Sequence, residues 1–376
     1  MKTANMYRDR LTYVSFLFTF ITLLILIGAG LALAQSPEDT PDVRQTGTPV
    51  LIYLPLSVSA PTPTPSPTPT VTPTPVNLWN QQSVDFSEGF ISVSCADTNN
   101  CYVLAKNGTI FKTTDGNNWK LSHGNGTVTY RGISCPASEI CFAVGDNGMV
   151  MSTNDGGSSW RLESVISKHL NAVDCLDQNN CFVVGDESEL AWTTDGGQNW
   201  TSFRIGNTPL YSVAYPSSGV RYSVGLGRVA SAIGMSLNTI NTGHMIHNGI
   251  SCSSSNRCLM VGNYLYPESE NGLIHAINNN SVDINNFTDL GTKDRLNDIS
   301  CPDLVNCFIA GAGAGKNGYG SGNRGSIFVS NDDGSTWQTE EIPVTTKNLN
   351  SIDCPTAQVC YTVGEGGLIL KRNSIN

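Results

Sequence analysis

The chain has 376 residues and a formal net charge of −10, and only 14% of its residues are Asp, Glu, Lys or Arg. This length is sufficient to bury a core without help from cross-links. The acidic balance disfavours nucleic acid as a partner, because binding to phosphates requires clustered positive charge. The abundance of Gly, Asn, Ser and Thr is typical of turns and β structure rather than of helices.

The first 34 residues predict a signal peptide or an N-terminal membrane anchor. A basic start with Lys2 and Arg10 precedes an apolar run over residues 11–33, and the small-residue sequence ALA at 32–34 is a suitable cleavage site. The run is also long enough to remain as a membrane-spanning anchor. Both alternatives place the rest of the chain outside the cytoplasm, either secreted or on the extracellular face of the membrane. Cleavage would remove three of the 21 basic and one of the 31 acidic residues, which leaves a net charge of −12.

A linker is predicted between this N-terminal segment and the rest of the chain. Residues 35–60 form a leader whose role the sequence does not reveal. Residues 61–75 read PTPTPSPTPTVTPTP, and alternating proline favours an extended polyproline II conformation. We therefore expect a stalk that holds a C-terminal domain, residues 76–376, away from the N-terminal segment.

From residue 76 onward the chain consists of seven repeats, six of which contain two cysteines. The pairs are Cys95 and Cys101, Cys135 and Cys141, Cys175 and Cys181, Cys252 and Cys258, Cys301 and Cys307, and Cys354 and Cys360. In the fourth repeat, SVAYPSSGVRYSVG, we place Tyr215 and Tyr222 where the others have cysteine. The repeats recur every 37 to 53 residues, a period typical of propellers and solenoids.

Each repeat alternates apolar and polar residues in short runs separated by turn residues, which predicts four antiparallel strands. Seven such repeats predict an all-β fold, a seven-bladed β-propeller of four-stranded blades. The last repeat lacks its fourth strand, whereas Trp79 lies in an extra segment before the first repeat. Trp79 could be a stray aromatic in a linker, but we expect residues 77–86 to complete the last blade and close the ring.

Four repeats contain an acidic turn that ends in tryptophan and resembles the Asp-box, or BNR repeat. Its residues are Asp115 and Trp119; Asp155, Gly157 and Trp160; Asp195, Gly197 and Trp200; and Ser330, Asp332, Gly334 and Trp337. The carboxylate can accept hydrogen bonds from the backbone of its own turn, glycine permits positive φ, and tryptophan packs into the sheet. We therefore predict that these residues have a structural role.

The stretch VGDNGMVMSTNDGGSSW, residues 144–160, is similar to repeats of the photosystem II assembly and stability factor family. The resemblance covers roughly residues 77–376 and implies a propeller fold and a protein-binding function. A photosynthetic role is left open. The chain departs from the family pattern in two ways. The fourth and fifth repeats lack an Asp-box, and the cysteine pairs are additional, so the chain resembles a secreted, cysteine-paired variant of the family.

We predict no catalytic residues, no cofactor and no metal site. Sialidases also contain Asp-boxes, but they require three arginines, a Tyr/Glu nucleophile pair and an acidic proton donor. The sequence FRIG at 203–206 follows the third Asp-box rather than preceding the first, so Arg204 is interpreted as an outer-strand residue. The favoured function is a non-enzymatic scaffold that binds a protein or cell-envelope component. The alternative is a carbohydrate-binding or glycosidase-like propeller with a glycan as ligand.

Two long insertions are the candidate partner site. They are GNYLYPESENG at 262–272 and GAGAGKNGYGSGNRG at 311–325, and both replace the short turn between the second and third strands. We expect them to meet on one rim of the face opposite the Asp-boxes. The candidate binding residues are Tyr264, Tyr266, Glu268, Glu270, Lys316, Tyr319 and Arg324. Alternatively, these are glycine-rich loops that merely tolerate insertion.

The paired cysteines predict six disulfides, each within its own repeat. A zinc site would need a second pair that converges in space, and a redox pair more often has the CxxC spacing beside a βαβ unit. Cross-strand neighbours in a hairpin lie about 4.5 to 5.5 Å apart, which is within disulfide reach. In the fourth repeat we expect the aromatic pair to hold the same hairpin without a covalent bond. Disulfides also indicate an oxidising compartment.

Overall fold

A computed structural model describes residues 78–124, 126, 128–265, 271–313, 324–343 and 347–373. All of these lie in one compact unit, Thr72–Asn376. The predicted signal peptide or anchor, the leader and the linker lie outside the described residues. Within the described part of the chain, no helix has the length and hydropathy needed to cross a membrane.

The described chain is an all-β propeller of antiparallel sheets, and its first three blades have four strands each. Blade 1 contains β2 (Phe90–Cys95), β3 (Cys101–Ala105), β4 (Ile110–Thr113) and β5 (Lys120–His123). Blade 2 contains β6 (Tyr130–Ala137), β7 (Ile140–Gly145), β8 (Met149–Thr153) and β9 (Arg161–Ser164). Blade 3 contains β10 (Leu170–Cys175), β11 (Cys181–Gly185), β12 (Glu189–Thr193) and β13 (Thr201–Arg204). Two 3₁₀ turns, η1 (Asp146–Gly148) and η2 (Asp186–Ser188), connect the middle strands of blades 2 and 3.

The remaining strands form three further blades. Blade 4 contains β14 (Leu210–Ser217), β15 (Val220–Ile233), β16 (Ser236–Ser254), β17 (Arg257–Tyr264), β18 (Gly272–Asn278) and β19 (Ser281–Asp289). Blade 5 contains β20 (Arg295–Ser300), β21 (Cys307–Ala312), β22 (Gly325–Ser330) and β23 (Gln338–Thr339). Blade 6 contains β24 (Leu349–Thr356), β25 (Val359–Gly364), β26 (Ile369–Asn373) and β1 (Trp79–Gln82).

The N-terminal strand completes the last blade, so the predicted closure is confirmed. β1 pairs with β26 in antiparallel register from Trp79 opposite Arg372 to Gln82 opposite Ile369. The Trp79 side chain is fully buried, and its Nε1 donates a 2.7 Å hydrogen bond to Glu340 of blade 5. Glu340 in turn forms a 2.7 Å ion pair with Arg372. The closing strand is therefore tied both to its own sheet and to the neighbouring blade.

The prediction of seven four-stranded blades is wrong, because the described strands form six sheets and hence six blades. The predicted fourth and fifth repeats share the six-stranded sheet of blade 4. Both β15 and β16 run through positions where connections between strands were expected, at Gly227 and Gly243. These glycines have φ of 64° and 65°, which accommodates an irregular register without ending the strand. Neither repeat has an Asp-box turn that would separate the strands.

The hydrophobic core lies between the faces of adjacent sheets. For example, Leu104 and Ile110 of blade 1 pack in one cluster with Tyr130 and Ile133 of blade 2. All four side chains are nearly or fully buried. Burying side chains of this kind contributes about 1.5 to 3 kcal/mol each. Successive side chains of a strand point to opposite sides of the sheet, and each side packs against a different neighbouring blade.

All six predicted disulfides are confirmed, and each joins the two inner strands of one hairpin. The Cα atoms of the pairs lie 3.9 to 4.1 Å apart. There is no free cysteine in the described chain. Each of these hairpins is therefore closed covalently at the end of its inner strands.

The placement of Tyr222 at a cysteine position is wrong by one residue. Ala214 lies opposite Tyr222 in the sheet, as Ser134 lies opposite Phe142 in blade 2, so Arg221 occupies the position of the second cysteine. The guanidinium carbon of Arg221 lies 4.6 Å from the ring centroid of Tyr215, and Arg221 Nη2 donates a 2.9 Å hydrogen bond to Tyr215 Oη. A cation–π contact with a hydrogen bond thus replaces the disulfide.

Candidate functional site

A cavity of about 360 Å³ lies among the innermost strands. Seven segments line it, because the six-stranded sheet of blade 4 contributes two. The segments are 91–94, 131–134, 171–174, 211–216, 248–252, 297–300 and 350–353. We call this cavity the central channel. Each segment belongs to an innermost strand, and one edge of that strand pairs with no other strand. The backbone groups on this edge therefore need other hydrogen-bond partners.

A first ring of hydrogen bonds provides a partner for one backbone N–H in most of the segments. The acceptor is the side chain of the residue that precedes the first cysteine. This side chain accepts a bond from the backbone N–H of the cysteine, or of Tyr215, in the next segment. The bonds are Cys135 to Ser94 (2.9 Å), Cys175 to Ser134 (3.1 Å), Tyr215 to Asp174 (2.7 Å), Cys301 to Ser251 (2.9 Å), Cys354 to Ser300 (3.0 Å) and Cys95 to Asp353 (2.7 Å). At the remaining junction the residue is Ala214, whose methyl group cannot accept such a bond.

A second ring uses asparagines four residues before the first cysteine. Each Nδ2 donates to a backbone carbonyl of the next segment. The pairs are Asn171 to Leu210 (2.9 Å), Asn248 to Leu296 (2.8 Å), Asn297 to Leu349 (2.6 Å) and Asn350 to Phe90 (2.7 Å). Sequence reasoning missed both rings, although the recurring pattern N-x-[VI]-[SD]-C contains the signal. Much of the polar lining of the channel therefore joins neighbouring segments.

Three carboxyl groups border the central channel, and their environment raises their pKa values. Burial raises the pKa of Asp174. Burial also raises the pKa of Asp298 to about 6, although the carboxyl accepts hydrogen bonds from Ser351 Oγ (2.8 Å) and the N–H of Ile352 (3.0 Å). The pKa of Asp353 is raised to about 7 by burial and by the nearby charges of Asp298 and Asp174. Asp298 and Asp353 can therefore exchange protons near neutral pH. All three carboxyl groups also accept a backbone hydrogen bond from the next segment.

Two of the candidate partner residues lie in the described chain, and five do not. Tyr264 is the last residue of β17, and Arg324 immediately precedes β22. The others, Tyr266, Glu268, Glu270, Lys316 and Tyr319, lie outside the described residues. Meeting of the two loops therefore stays a prediction.

The bases of the two loops flank the connection between blades 4 and 5. Next to Tyr264, Asn263 Nδ2 donates a 3.2 Å hydrogen bond to the carbonyl of Asp294. At the other loop, Ala312 pairs with Arg295. Consecutive antiparallel strands place the ends of β17 and β21, from which the loops start, on the face opposite the Asp-box turns. The two loops thus start from adjacent positions on one face.

The Asp-box carboxylates bind their own turns. Asp155 Oδ1 accepts bonds from Thr153 Oγ1 (2.8 Å) and the N–H of Ser159 (2.9 Å), and Gly157, with φ of 77°, donates to Thr153 (2.8 Å). Asp195 and Asp332 have the same pattern. Hydrogen bonds from the side chains of Ser159 and Asn199 lower the pKa values of Asp155 and Asp195 to about 2. These carboxylates stay ionised at neutral pH, where their lone pairs bind the turn.

The shortened Asp-box uses a tighter version of the same turn. Asp115 Oδ1 accepts hydrogen bonds from the N–H groups of Asn117 (2.9 Å) and Asn118 (2.8 Å). The side chain of Asn118 contributes most to lowering the pKa of Asp115. With one residue fewer, the donors lie two and three residues after the aspartate instead of four, at similar distances.

No group of three or more His, Cys, Asp or Glu in the described residues could hold a metal ion. Arg204, the residue of the FRIG sequence, lies at the end of the outermost strand β13. It forms a 2.7 Å ion pair with Glu187 and a 2.7 Å hydrogen bond to the carbonyl of Gly206. Arg204 is thus an outer-strand residue engaged with its own blade.

The fold and the central channel define a β-propeller with Asp-box turns and disulfide-closed inner hairpins. A family model described as "Photosynthesis system II assembly factor YCF48" matches residues 119–210. The matched part contains three of the four Asp-box tryptophans, Trp119, Trp160 and Trp200. No curated protein matches the chain. The chain is therefore a propeller similar to YCF48 in this region.

Solved structures extend this likeness over the whole propeller. One described as "YCF48 bound to D1 peptide" has a TM-score of 0.64 at 16% identity, covering 80% of this chain and 99% of that chain. YCF48 from Cyanidioschyzon merolae has a TM-score of 0.60 at 17% identity, covering 78% and 98%. An ancestral GH74 enzyme has a TM-score of 0.58 at 12% identity, covering 77% of this chain and 45% of that chain. At these identities the likeness shows the fold alone.

Proposed function

We propose that this protein is a non-enzymatic propeller that binds a protein partner outside the cytoplasm and acts as an assembly scaffold. The observation that carries the proposal is the similarity to YCF48, both in the family match over residues 119–210 and in a solved structure described as bound to a D1 peptide. A propeller presents rigid loops on two faces, a geometry that suits the binding of another protein.

The partner site is assigned to the face that carries the two long loops. On the opposite face, the Asp-box carboxylates are occupied by their own turns. Beside the first loop, Leu265 and Phe287 are 48% and 38% exposed, and the ring of Phe287 packs against Tyr264 at 6.0 Å. Aromatic residues and arginine are enriched in protein interfaces, and Arg324 lies at the base of the second loop.

The extracytoplasmic location is supported by the disulfides. All twelve cysteines are paired, and such bridges persist in oxidising compartments rather than in the cytoplasm. The test is to alkylate intact cells of the native source with a membrane-impermeant thiol reagent, with and without prior reduction. Labelling that requires external reduction supports the location. Twelve free thiols in the non-reduced denatured protein would contradict it.

Partner binding is tested by crosslinking in the native envelope with the full chain as bait. The variant pair Tyr264→Ala and Phe287→Ala removes the aromatic anchors, and Phe203→Ala, at a partly exposed position on the outer strand of blade 3, is the matched control. We expect a saturable protein partner that is lost in the double variant and retained in the control. Equal capture by the double variant and the parent would show that the partner binds at another site.

The enzymatic alternative has its own test in fluorogenic glycoside assays. The channel carboxyls of Asp298 and Asp353 have pKa values near those of catalytic acids. Because they bind backbone groups of the next blade, we expect no turnover with any glycoside. Turnover that is abolished in Asp298→Asn or Asp353→Asn, with folding retained, would overturn the non-enzymatic proposal.

A further inference from the structure

Blade 4 contains two histidines at positions that are aliphatic or aromatic in the other repeats. His247 lies five residues before Cys252 and is fully buried. The equivalent residues of the other repeats are Phe90, Tyr130, Leu170, Leu210, Leu296 and Leu349, all of them fully or almost fully buried. His275 lies opposite Met260 on the neighbouring strand and is 1% exposed. Its equivalents in blades 1, 2, 3, 5 and 6 are Phe111, Met151, Ala191, Phe328 and Leu370.

The two histidines form a buried hydrogen-bonded pair, which we call the histidine pair. His247 Nε2 lies 3.2 Å from His275 Nδ1, and His275 Nε2 lies 3.2 Å from the carbonyl oxygen of Ile284. A carbonyl only accepts, so His275 carries its proton on Nε2 and its Nδ1 must accept from His247. His247 Nδ1 is then unprotonated, and it has no hydrogen-bond partner among the described residues.

Burial disfavours the charged form of both rings. It lowers the pKa of His247 to about 3, with a further contribution from His275. It also lowers the pKa of His275, although the carbonyl of Ile284 and the carboxylate of Asp283 oppose the shift. The titratable or charged groups on the elements packed around the pair are Tyr211 and Tyr215 on β14, Arg221, Tyr222 and Arg228 on β15, His244 on β16, Arg257 and Tyr264 on β17, Asp283 and Asp289 on β19, and Arg295 and Asp298 on β20.

The ring of Phe287 connects the histidine pair to the base of the first long loop. Phe287 lies opposite His275 in the sheet, with ring centroids 5.6 Å apart. The same ring packs edge-on against Tyr264 at 6.0 Å. Movement of β19 away from β18 would therefore remove the support under Tyr264.

We propose that the histidine pair is an acid-sensitive device that lets strands β18 and β19 open, and releases Tyr264, on mild acidification. In the closed blade, an added proton would go to His247 Nδ1, which has no acceptor in the part of the chain that the structure describes. An opened blade hydrates both rings, so they titrate near their ordinary pKa of about 6.5. The opened form thus binds protons that the closed form excludes, and the population of the opened form rises as the pH falls below about 6.5.

Linkage sets the size of this effect. Each proton taken up on opening raises the equilibrium constant for opening by up to about tenfold for each unit by which the pH falls. The effect begins near pH 6.5 and ends where the closed form itself becomes protonated. Above about pH 6.5 both forms are neutral, and the opening equilibrium is independent of pH.

Blade 1 provides a matched internal control. At the positions of the histidine pair it has Phe90 and Phe111, with ring centroids 5.9 Å apart in an edge-on contact. This pair is apolar, so it holds no group whose protonation could open the blade. The double variant His247→Phe and His275→Phe copies this arrangement into blade 4.

The test is hydrogen exchange of the full chain between pH 7.5 and 5.0, with amide rates corrected for the intrinsic effect of pH. We expect protection of residues 272–289 to fall below about pH 6.5 by up to about tenfold per pH unit for one proton taken up, and by up to about a hundredfold where both histidines are protonated. Protection of 101–113 in blade 1 stays constant. The double variant removes this loss. Protection of 272–289 that is independent of pH in the parent, or a loss that is unchanged in the variant, would overturn the proposal.

A second measurement covers the case in which the double variant does not fold. Histidine ring signals of the parent chain are followed by NMR through the same pH range. We expect His247 and His275 to stay neutral in the closed form while an opened form with charged rings grows. Titration of both rings near 6.5 in the closed form, without loss of protection, would contradict the device.

Discussion

In blade 2, a disulfide closes the inner hairpin and a complete Asp-box closes the outer one, whereas the first half of blade 4 has neither. Blade 4 instead places Arg221 over Tyr215 and lets β15 and β16 run on, so that six strands share one sheet. The second half of blade 4 also has the histidine pair, where blade 2 has Tyr130 and Met151. A longer sheet thus takes the place of the two local closures, and blade 4 buries two imidazole rings where blade 2 buries a tyrosine and a methionine.

The central channel and the histidine pair respond to pH in opposite directions. Asp298 has a folded pKa of about 6 against 3.8 for the ordinary group. Its contribution to stability is fully present below about pH 4 and is lost as the pH rises through 6. The histidines have lowered pKa values in the fold, so their contribution is lost as the pH falls below about 6.5. A fall in pH therefore stabilises the contacts of Asp298 at the central channel and destabilises blade 4.

The largest expected effect comes from Asp298→Asn. The amide oxygen can still accept from Ser351 and Ile352 but never ionises, so it avoids the penalty of a buried charge. Asp298 Oδ1 also accepts from the N–H of Ile299 at 2.9 Å, and loss of this acceptor costs the variant a free energy that does not change with pH. Between pH 4 and 7, the free energy of unfolding of the variant should therefore rise relative to the parent by up to about 3 kcal/mol, less the hydration that the channel supplies. Urea unfolding at several pH values measures it. A stability difference that does not change with pH would show that Asp298 does not titrate in this range.

The next largest effect is a loss of stability, which is expected when the disulfide of blade 2 is removed. For the double variant Cys135→Ala and Cys141→Ala, the short loop predicts a loss of about 2 kcal/mol in the free energy of unfolding. Urea unfolding with and without reductant measures it, and the five other bridges must be intact in the sample. An equal stability of variant and parent would mean that the hairpin is already restrained without the bridge.

A gain is expected when the fourth repeat is converted to the pattern of blade 2. The double variant Tyr215→Cys and Arg221→Cys places cysteines where the register matches that of Cys135 and Cys141. The new bridge contributes about 2 kcal/mol, and loss of the cation–π contact and its hydrogen bond offsets roughly half of this. Thiol titration should find no free cysteine, and the midpoint in urea should rise. Two free thiols would show that the hairpin geometry differs from that of blade 2.

The smallest effect is expected from Ala214→Ser. Serine at this position supplies the acceptor that six of the seven channel junctions already have. The N–H of Cys252 gains a hydrogen bond, worth about 0.5 to 1.5 kcal/mol in the free energy of unfolding. Ala214→Val, which adds bulk without an acceptor, is the control. Equal effects of the two variants would show that packing rather than hydrogen bonding limits this junction.

Sequence reasoning found the features whose signal lies within one repeat. Cysteines six residues apart in a β-hairpin predicted the bridge between Cys135 and Cys141, because strand pairing brings such residues together. The tryptophan left over before the first repeat predicted that Trp79 closes the ring. Sequence reasoning missed Arg221 at the position of the second cysteine. The adjacent aromatic residue was assigned to that position instead.

The candidate site was less predictable because its contacts cross from one segment to the next. Asn350 donates to Phe90, and Asp353 accepts from Cys95, across 260 and 258 residues of sequence. The histidine pair was missed for the same reason. His247 and His275 belong to different strands, and neither lies in a sequence motif typical of a metal site or a nucleophile.

The sequence by itself determined that the chain builds antiparallel hairpins, where each is bridged, which turns are Asp-boxes and which strand closes the ring. These features depend on alternation, turn chemistry and cysteine spacing, which act over a few residues. Only the tertiary structure decided that six sheets form and that Arg221 replaces a cysteine. It also decided that polar side chains join the segments around the channel and that two histidines meet in the core of blade 4. Those outcomes depend on which backbone edges and buried groups still lack a partner once the ring has closed.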